Sequence, residues 1–384
     1  MSYKPATSTG ARAAFSFTSF LVIGIFDGAL GVAWPSMRAE LHQPLSALGL
    51  LLVYSTVGFL LLNLGLGRLL DWIGLRTTTA AGAFLYTVGL LLMGLGNWPL
   101  AVLGAVVWGI AAGLLNGAIN VYSTLRMSGG AMQLLHGCWG IGTLLGPLLV
   151  TGLLVTHHSW RIALVVVALL TALLGVWALA AMRWPALPHR PDEQGGRLRP
   201  SVPLALGVLA FFLYTGAEWA AGQWSFTVLT QGRGYATATA GLLVSLYWTG
   251  LTAGRLAGGA AGLRLSTPVL LLSGISLTVL ASGLFWWLPA WSAVSLPLLG
   301  LGLAPIFPAM MTLTSQRVPA AGVGTAVGLQ TASSGLGSSV APAVVGLGLQ
   351  RFGLYLLGPS IFAFALALAT VSVLLERRSP EGHR

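Results

Sequence analysis

Two acidic side chains lie deep inside segments that are otherwise apolar. Asp27 is about 4 Å past the centre of segment 14–35, and Glu218 is about 7 Å past the centre of segment 202–224, at roughly 1.5 Å per helical residue. A charge at the bilayer centre costs roughly 2.5–3.5 kcal/mol, so such a residue is usually kept for a function. A carboxyl group shielded from water holds its proton more readily than an exposed one. We predict that both acids exchange a proton; the alternative is that they only tie helices together.

Polar side chains with helical spacing form a second group of candidate residues, and those that we predict to bind the substrate are Asn116, Asn120, His136 and Trp139. Asn116 and Asn120 are four residues apart, which places both amides on one helix face, where they suit hydrogen bonding to hydroxyl groups. Gln133, His136 and Trp139 are three residues apart and also share one side of a helix. His136 either relays protons near neutral pH or is a fixed hydrogen-bond donor.

Aromatic and polar residues of the second half complete the set of residues predicted to bind the substrate. The rings of the Trp and Tyr residues suit stacking on the apolar face of a sugar, although Trp and Tyr are also common at membrane interfaces. Gln330, Ser334 and Ser338 repeat every four residues, a pattern that either lines a cavity or joins helices. The predicted substrate-binding residues of this half are Trp219, Gln223, Tyr247, Trp248, Gln330 and Ser334.

Composition identifies the elements that must position these residues. Of 384 residues, 56% are hydrophobic and 7% are charged, against roughly 25% charged in a soluble domain. Lys4 is the single lysine and Cys138 the single cysteine, which excludes a P-loop ATPase, a lysine Schiff-base enzyme, an intrachain disulfide and a multi-cysteine metal site. The composition therefore predicts a helical membrane protein.

The apolar stretches predict twelve transmembrane helices, each about 20 residues long. The most polar stretch, residues 183–201, is predicted to be a cytoplasmic linker between an N-terminal bundle, 1–182, and a C-terminal bundle, 202–384. The predicted spans are 14–35, 46–66, 77–96, 99–122, 131–154, 160–182, 202–224, 236–258, 266–287, 290–313, 321–349 and 354–375.

The basic residues predict the orientation. With both termini inside, 15 of the 19 Lys and Arg residues fall on the inner side, Arg255 among them, and four fall on the outer side. This bias predicts cytoplasmic N and C termini in the cytoplasmic membrane. The arginines are dispersed over short loops, so a nucleic-acid partner is not expected.

The two halves repeat each other. GRLLDWIGLR at 67–76 has a counterpart in GRLAGGAAGLR at 254–264, and WGIGTLLGPLLVTGLL at 139–154 matches SGLGSSVAPAVVGLGL at 334–349. Duplicated halves of this kind are typical of transporters built from parallel repeats, with a substrate site between the halves near the midplane.

GRLLDWIGLR resembles the loop motif of the major facilitator superfamily, with Gly67, Asp71, Gly74 and Arg76 in place and Trp72 and Leu75 at basic positions. The resemblance implies an all-α integral membrane protein of 12 transmembrane helices in two pseudo-symmetric six-helix bundles. It also implies that Arg68, Asp71 and Arg76 help to close a cytoplasmic gate.

Within that superfamily the chain looks most like the fucose-permease-type sugar symporters. The segments that carry this resemblance are DGALGVAWP at 27–35, LHGCWGIGTLLGP at 135–147, YTGAEWAAGQW at 214–224, SLYWTGLTAGRLAGG at 245–259 and GLAPIFP at 302–308. One departure matters: those symporters carry a protonatable Glu where this chain has Asn116. Proton coupling must then involve Asp27 or Glu218, or be absent.

We therefore expect a secondary transporter of a small polar solute such as a sugar or polyol, with a proton as coupling ion. The alternative is a drug or metabolite exporter of the same fold, which GTLLGP at 142–147 favours and the lack of an Arg in the fourth span disfavours. An enzyme is not expected, because no cluster of His, Asp and Glu has metal-ligand spacing. We expect a monomer in the lipid bilayer with no cofactor and no metal.

Overall fold

The structure is a computed structural model, and it describes residues 9–184, 201–261, 265–318 and 320–378. The described residues form helices and their connections, without a strand. The helices are α1 Thr9–Glu40, α2 Ala47–Gly94, α3 Trp98–Arg126, α4 Gly129–Val155, α5 Arg161–Ala180, α6 Val202–Thr227, α7 Thr237–Ala261, α8 Thr267–Trp287, α9 Ser292–Leu303, α10 Ile306–Arg317, α11 Ala320–Phe352 and α12 Leu357–Arg378.

Ten helical segments in the described part of the chain are long and apolar enough to cross a membrane, and Ala47–Asn63 is a shorter apolar helix. Such helices satisfy their backbone groups internally, which the hydrocarbon core demands. The predicted all-α membrane fold is confirmed.

Helix α2 contains two of the predicted spans. Its 48 residues would extend about 72 Å if straight, more than twice the roughly 30 Å hydrocarbon core. Gly74, with φ 74° and ψ 165°, interrupts it in a backbone region that glycine enters without strain. The two parts run along α3 in opposite directions. Before Gly74 the chain runs parallel to α3, with contacts between Gly58 and Val106 and between Leu66 and Gly117. After Gly74 it runs antiparallel, with contacts between Gly82 and Leu115 and between Gly89 and Trp108.

Two spans of the second half differ from the predicted bounds. The predicted span 290–313 is divided into α9 and α10 at Pro305, which has no N–H to continue the helical ladder. The predicted span 202–224 instead continues through a π-helical turn to Gly232. Glu218 is therefore within about 2 Å of the middle of the segment Val202–Gly232, and not about 7 Å past its centre.

The chain divides into two compact units, Met1–Pro191 and Asp192–Arg384. In the N-terminal unit α2 packs along α3 and α5, and α1 packs along α4. In the C-terminal unit α6 packs against α11 and α12, and α9 packs against α7 and α8. Most of the predicted linker 183–201 and the basic residues Lys4 and Arg264 lie outside the described residues, so the predicted bundle and linker bounds stay predictions.

Candidate functional site

Helices α1 and α4 of the N-terminal unit approach each other at backbone distance. A Cβ atom on Gly24 would overlap the main-chain oxygen of Trp139, and one on Gly28 would overlap the main-chain oxygen of Thr143. Small residues at such positions let two membrane helices pack closely. The close approach holds the intervening Asp27 side chain directly against α4.

Asp27 lies in this contact and is 8% exposed. Its carboxylate accepts a hydrogen bond of 2.8 Å from the indole Nε1 of Trp139. The sequence predicted Trp139 as a substrate-binding residue, but in the structure its N–H group is directed to the acid. Trp139 is therefore placed to orient Asp27, and its contact with a substrate stays a prediction.

Two further polar groups of this region were not revealed by the sequence. Tyr86 of α2 is fully buried and interacts electrostatically with Asp27, and Trp108 of α3 is nearly as buried. The Trp108 indole interacts with the Tyr86 hydroxyl. The ring of Phe26 contacts both rings edge-on, at 6.2 and 4.9 Å between centroids. Nothing in the local sequence distinguishes these two aromatics from core residues.

The amides of Asn116 and Asn120 do share one face of α3, as their spacing predicts. The Asn120 Nδ2 group donates to the Asn116 Oδ1 atom, and both side chains are half-buried. Each amide keeps its other polar atom for further contacts. His136 is exposed on α4, and its ring contacts Phe20 edge-on, with the two ring centroids 5.5 Å apart.

The C-terminal unit surrounds its acid with a charged and hydroxyl cluster. Glu218 is 3% exposed, and both of its carboxylate oxygens accept hydrogen bonds of 3.2 Å from Nη2 of Arg255. The same Nη2 atom lies 3.1 Å from the hydroxyl of Tyr214. The hydroxyl of Tyr247 donates to the backbone oxygen of Glu218 at 2.7 Å. Helices α6 and α7 thus hold a carboxylate, a guanidinium and two phenols together.

The structure gives Arg255 a partner that the charge count along the sequence does not predict. Arg255 lies within α7 and pairs with an acid on α6, and its place on the inner side stays a prediction. Its side chain is 23% exposed. The sequence does indicate that Arg255 has a partner, because Arg255 falls within the predicted span 236–258, where an arginine needs one.

The aromatic residues predicted to stack on a sugar differ in accessibility. Tyr247 and Trp248 are fully buried, with their ring centroids 5.0 Å apart, and Trp248 fills the space beside Gly222. Neither ring offers an exposed face in this structure. Trp219 is partly exposed, and Gln223 is buried.

One polar side chain of the α11 repeat joins helices. The Oε1 atom of Gln330 accepts a hydrogen bond of 3.0 Å from Thr314, which matches the helix-joining alternative. Ser334 accepts a hydrogen bond of 2.9 Å from Thr215 through its backbone oxygen, so this contact does not depend on its side chain. A role in lining a cavity stays a prediction for both residues.

The three predicted gating residues, Arg68, Asp71 and Arg76, are exposed around the Gly74 turn. Arg76 donates to the backbone oxygen of Leu179 at the end of α5. The ion pairs recorded for the described residues do not include Asp71. The structure therefore assigns a contact to one of the three, and their role in a gate stays a prediction.

Comparison with known sequences relates this arrangement to characterised families. The sequence profile of the Major Facilitator Superfamily matches residues 16–342. The chain is 22% identical to Bypass of stop codon protein 6 of Saccharomyces cerevisiae, over 95% of this chain and 82% of that protein. It is 30% identical to a protein described as probable polyol transporter 6 of Arabidopsis thaliana, over 45% of this chain but 35% of that protein.

Solved structures share the fold. The nucleoside transporter NupG superimposes with a TM-score of 0.71 at 17% identity, over 96% of this chain and 98% of that one. A bacterial homologue of the human lysosomal transporter Spinster, in an inward-facing and occupied conformation, superimposes with a TM-score of 0.76 at 14% identity, over 98% of each chain. At these identities the likeness shows the fold alone.

Proposed function

The chain belongs to the major facilitator superfamily, and on that premise we propose that it is a secondary transporter that moves a small polar solute, a sugar or a polyol, across the cytoplasmic membrane by alternating access. One observation carries this proposal: each unit buries one acid near the middle of its first helix, among donors from a second helix of the same unit. Buried ionisable groups in membrane spans mark solute and proton pathways.

The chemistry of the two clusters supports a neutral solute. In the C-terminal unit the charge of Glu218 is offset by Arg255, so the pair carries no net charge. In the N-terminal unit the amides of Asn116 and Asn120 present donors and acceptors suited to hydroxyl groups. The partial match to an Arabidopsis polyol transporter supports the same solute class, as does the resemblance to fucose-type symporters.

We assign the coupling proton to Asp27 first. Both oxygens of Glu218 accept hydrogen bonds from the guanidinium of Arg255, so a proton bound by Glu218 would break an ion pair. Asp27 instead accepts a hydrogen bond of 2.8 Å from the neutral indole of Trp139. In this assignment Glu218 exchanges a proton only when Arg255 finds another partner.

The exporter alternative has less support from the structure. The sequence GTLLGP at 142–147 favours an exporter, but Gly142 and Gly146 pack against the main-chain oxygens of Leu21 and Ile25. Close helix packing accounts for these glycines whatever the direction of transport.

We further propose that both termini are cytoplasmic, that a single chain is the working unit, and that Arg68, Asp71 and Arg76 are gate residues.

A substrate panel tests the proposed function. The purified protein would be screened by thermal shift against sugars, polyols, nucleosides and hydrophobic cations, and solutes that stabilise it would be tested in proteoliposomes. We expect stabilisation by a polyhydroxylated neutral solute, and accumulation of that solute when the pH gradient is directed inward. Stabilisation by hydrophobic cations alone would overturn the proposal in favour of the exporter.

A further inference from the structure

One end of the C-terminal unit contains a cavity of about 650 Å³, a volume typical of small-molecule sites. It lies among three connections, those between α6 and α7, between α8 and α9, and between α11 and α12. None of its lining residues is acidic. The residues that shape it are Val228, Arg233, Tyr235, Trp286, Leu354 and Tyr355.

Arg233 is the cation of this cavity, and neutral groups hold it. Its Nη1 atom donates to the Ser292 hydroxyl at 2.6 Å, and its Nη2 atom donates to the backbone oxygen of Phe285. The guanidinium carbon lies 3.9 Å from the centroid of the Phe285 ring. Burial lowers the pKa of Arg233 from its ordinary value, because water is partly excluded from the charge. The ion pairs among the described residues do not include Arg233.

The start of the nearest helix holds the Arg233 side chain in place. Ser292 is the first residue of α9 and is fully buried. Its hydroxyl accepts from Nη1 of Arg233 and donates to the backbone oxygen of Pro289 at 2.6 Å, and its backbone N–H group donates to the same oxygen. The guanidinium is therefore the positive group of the cavity.

The N-terminal unit has a similar arrangement that includes an acid. Arg161 is the first residue of α5, its Nε atom donates to the backbone oxygen of Gly94 at 2.7 Å, and its guanidinium lies 5.0 Å from the Trp160 ring. Here Glu40 pairs with the guanidinium and also accepts from the Trp160 indole. The C-terminal unit has the hydroxyl of Ser292 beside its arginine, where the N-terminal unit has a carboxylate.

We propose that the cavity around Arg233 binds a phosphate group, which supplies the negative charge that Glu40 supplies in the N-terminal unit. A guanidinium forms strong charge-assisted hydrogen bonds with phosphate oxygens. Trp286 and Tyr355 would pack against the apolar part of the molecule that carries the phosphate. A phospholipid headgroup and a free phosphate compound share this chemistry, and the cavity lies at the end of the spans, where headgroups are found. The proposal does not depend on the transported solute.

Thermal unfolding of the full-length protein in neutral detergent tests the proposal. The probes are inorganic phosphate and short-chain phosphatidylglycerol, with sodium chloride at equal ionic strength and short-chain phosphatidylcholine as references. The variants are Arg233→Gln, which removes the cation, and Ser292→Asp, which supplies an internal carboxylate beside the guanidinium. Arg161→Gln is the control, because it removes an arginine at the start of α5, at one end of the N-terminal unit.

We expect at least one phosphate probe to raise the unfolding midpoint above its reference, with a response kept in Arg161→Gln. In Arg233→Gln and Ser292→Asp the apparent affinity falls about ten-fold or more, as the loss of a charged hydrogen bond implies. A response to phosphatidylglycerol alone identifies a lipid headgroup, and an equal response to inorganic phosphate identifies a free phosphate compound. No response above the references, or an unchanged response in Ser292→Asp, would overturn the proposal.

Discussion

The two units bury one acid each near the middle of their first helix, but they hold these acids differently. Asp27 accepts a hydrogen bond from the neutral indole of Trp139, whereas both oxygens of Glu218 face the guanidinium of Arg255. Depth and burial are comparable, so they do not distinguish the two residues. The difference teaches that loss of the Glu218 charge leaves the Arg255 charge without its carboxylate, whereas loss of the Asp27 charge weakens a hydrogen bond from a neutral indole.

The largest effect on stability is expected where the charged pair is broken. Glu218→Gln leaves the charge of Arg255 without its carboxylate partner and should lower the free energy of unfolding by about 3 kcal/mol, at the low end for a buried pair because the Arg255 side chain is 23% exposed. The double variant Glu218→Gln with Arg255→Gln should recover most of this loss, since no charge is stranded. Denaturant titration of all three proteins measures the coupling; additive losses would show that the pair is not energetically linked.

A smaller effect is expected at the helix contact that holds Asp27. Gly28→Ala places a methyl group against the main-chain oxygen of Thr143, so α1 and α4 must move apart, at a cost of about 2 kcal/mol. Gly65→Ala is the matched control, because a Cβ atom there meets no neighbour. The unfolding midpoints should separate the two variants. Equal midpoints would mean that α1 and α4 tolerate a wider spacing than the structure shows.

The smallest effect is expected from the donor to Asp27. Trp139→Phe removes one hydrogen bond to a buried acid and should lower the free energy of unfolding by about 1.5 kcal/mol. Trp160→Phe removes the equivalent indole bond to Glu40, whose side chain is 46% exposed, and should have less effect. If Trp160→Phe proves the more damaging of the two, the hydrogen bond to Asp27 is not the stronger one.

The sequence predicted the membrane fold and the two acids because both follow from hydrophobicity and charge along the chain. It did not predict the partner of Glu218, since Arg255 is 37 residues away and its pairing depends on how α6 meets α7. Tyr86 and Trp108 were missed for the same reason: their polar atoms interact only after α2 and α3 have packed. Helix ends were also displaced, as at Gly232, because a π-helical turn has no clear composition signal.

The central claim is that the two acids have different roles, and transport by paired variants in proteoliposomes tests it most directly. The solute identified by the panel would be used, with accumulation under an inward proton gradient expressed relative to counterflow without a gradient. We predict that Asp27→Asn keeps counterflow and loses accumulation. The double variant Glu218→Gln with Arg255→Gln should keep a ratio of accumulation to counterflow close to that of the unaltered protein. Full accumulation by Asp27→Asn, together with loss of that ratio in the double variant, would contradict the account.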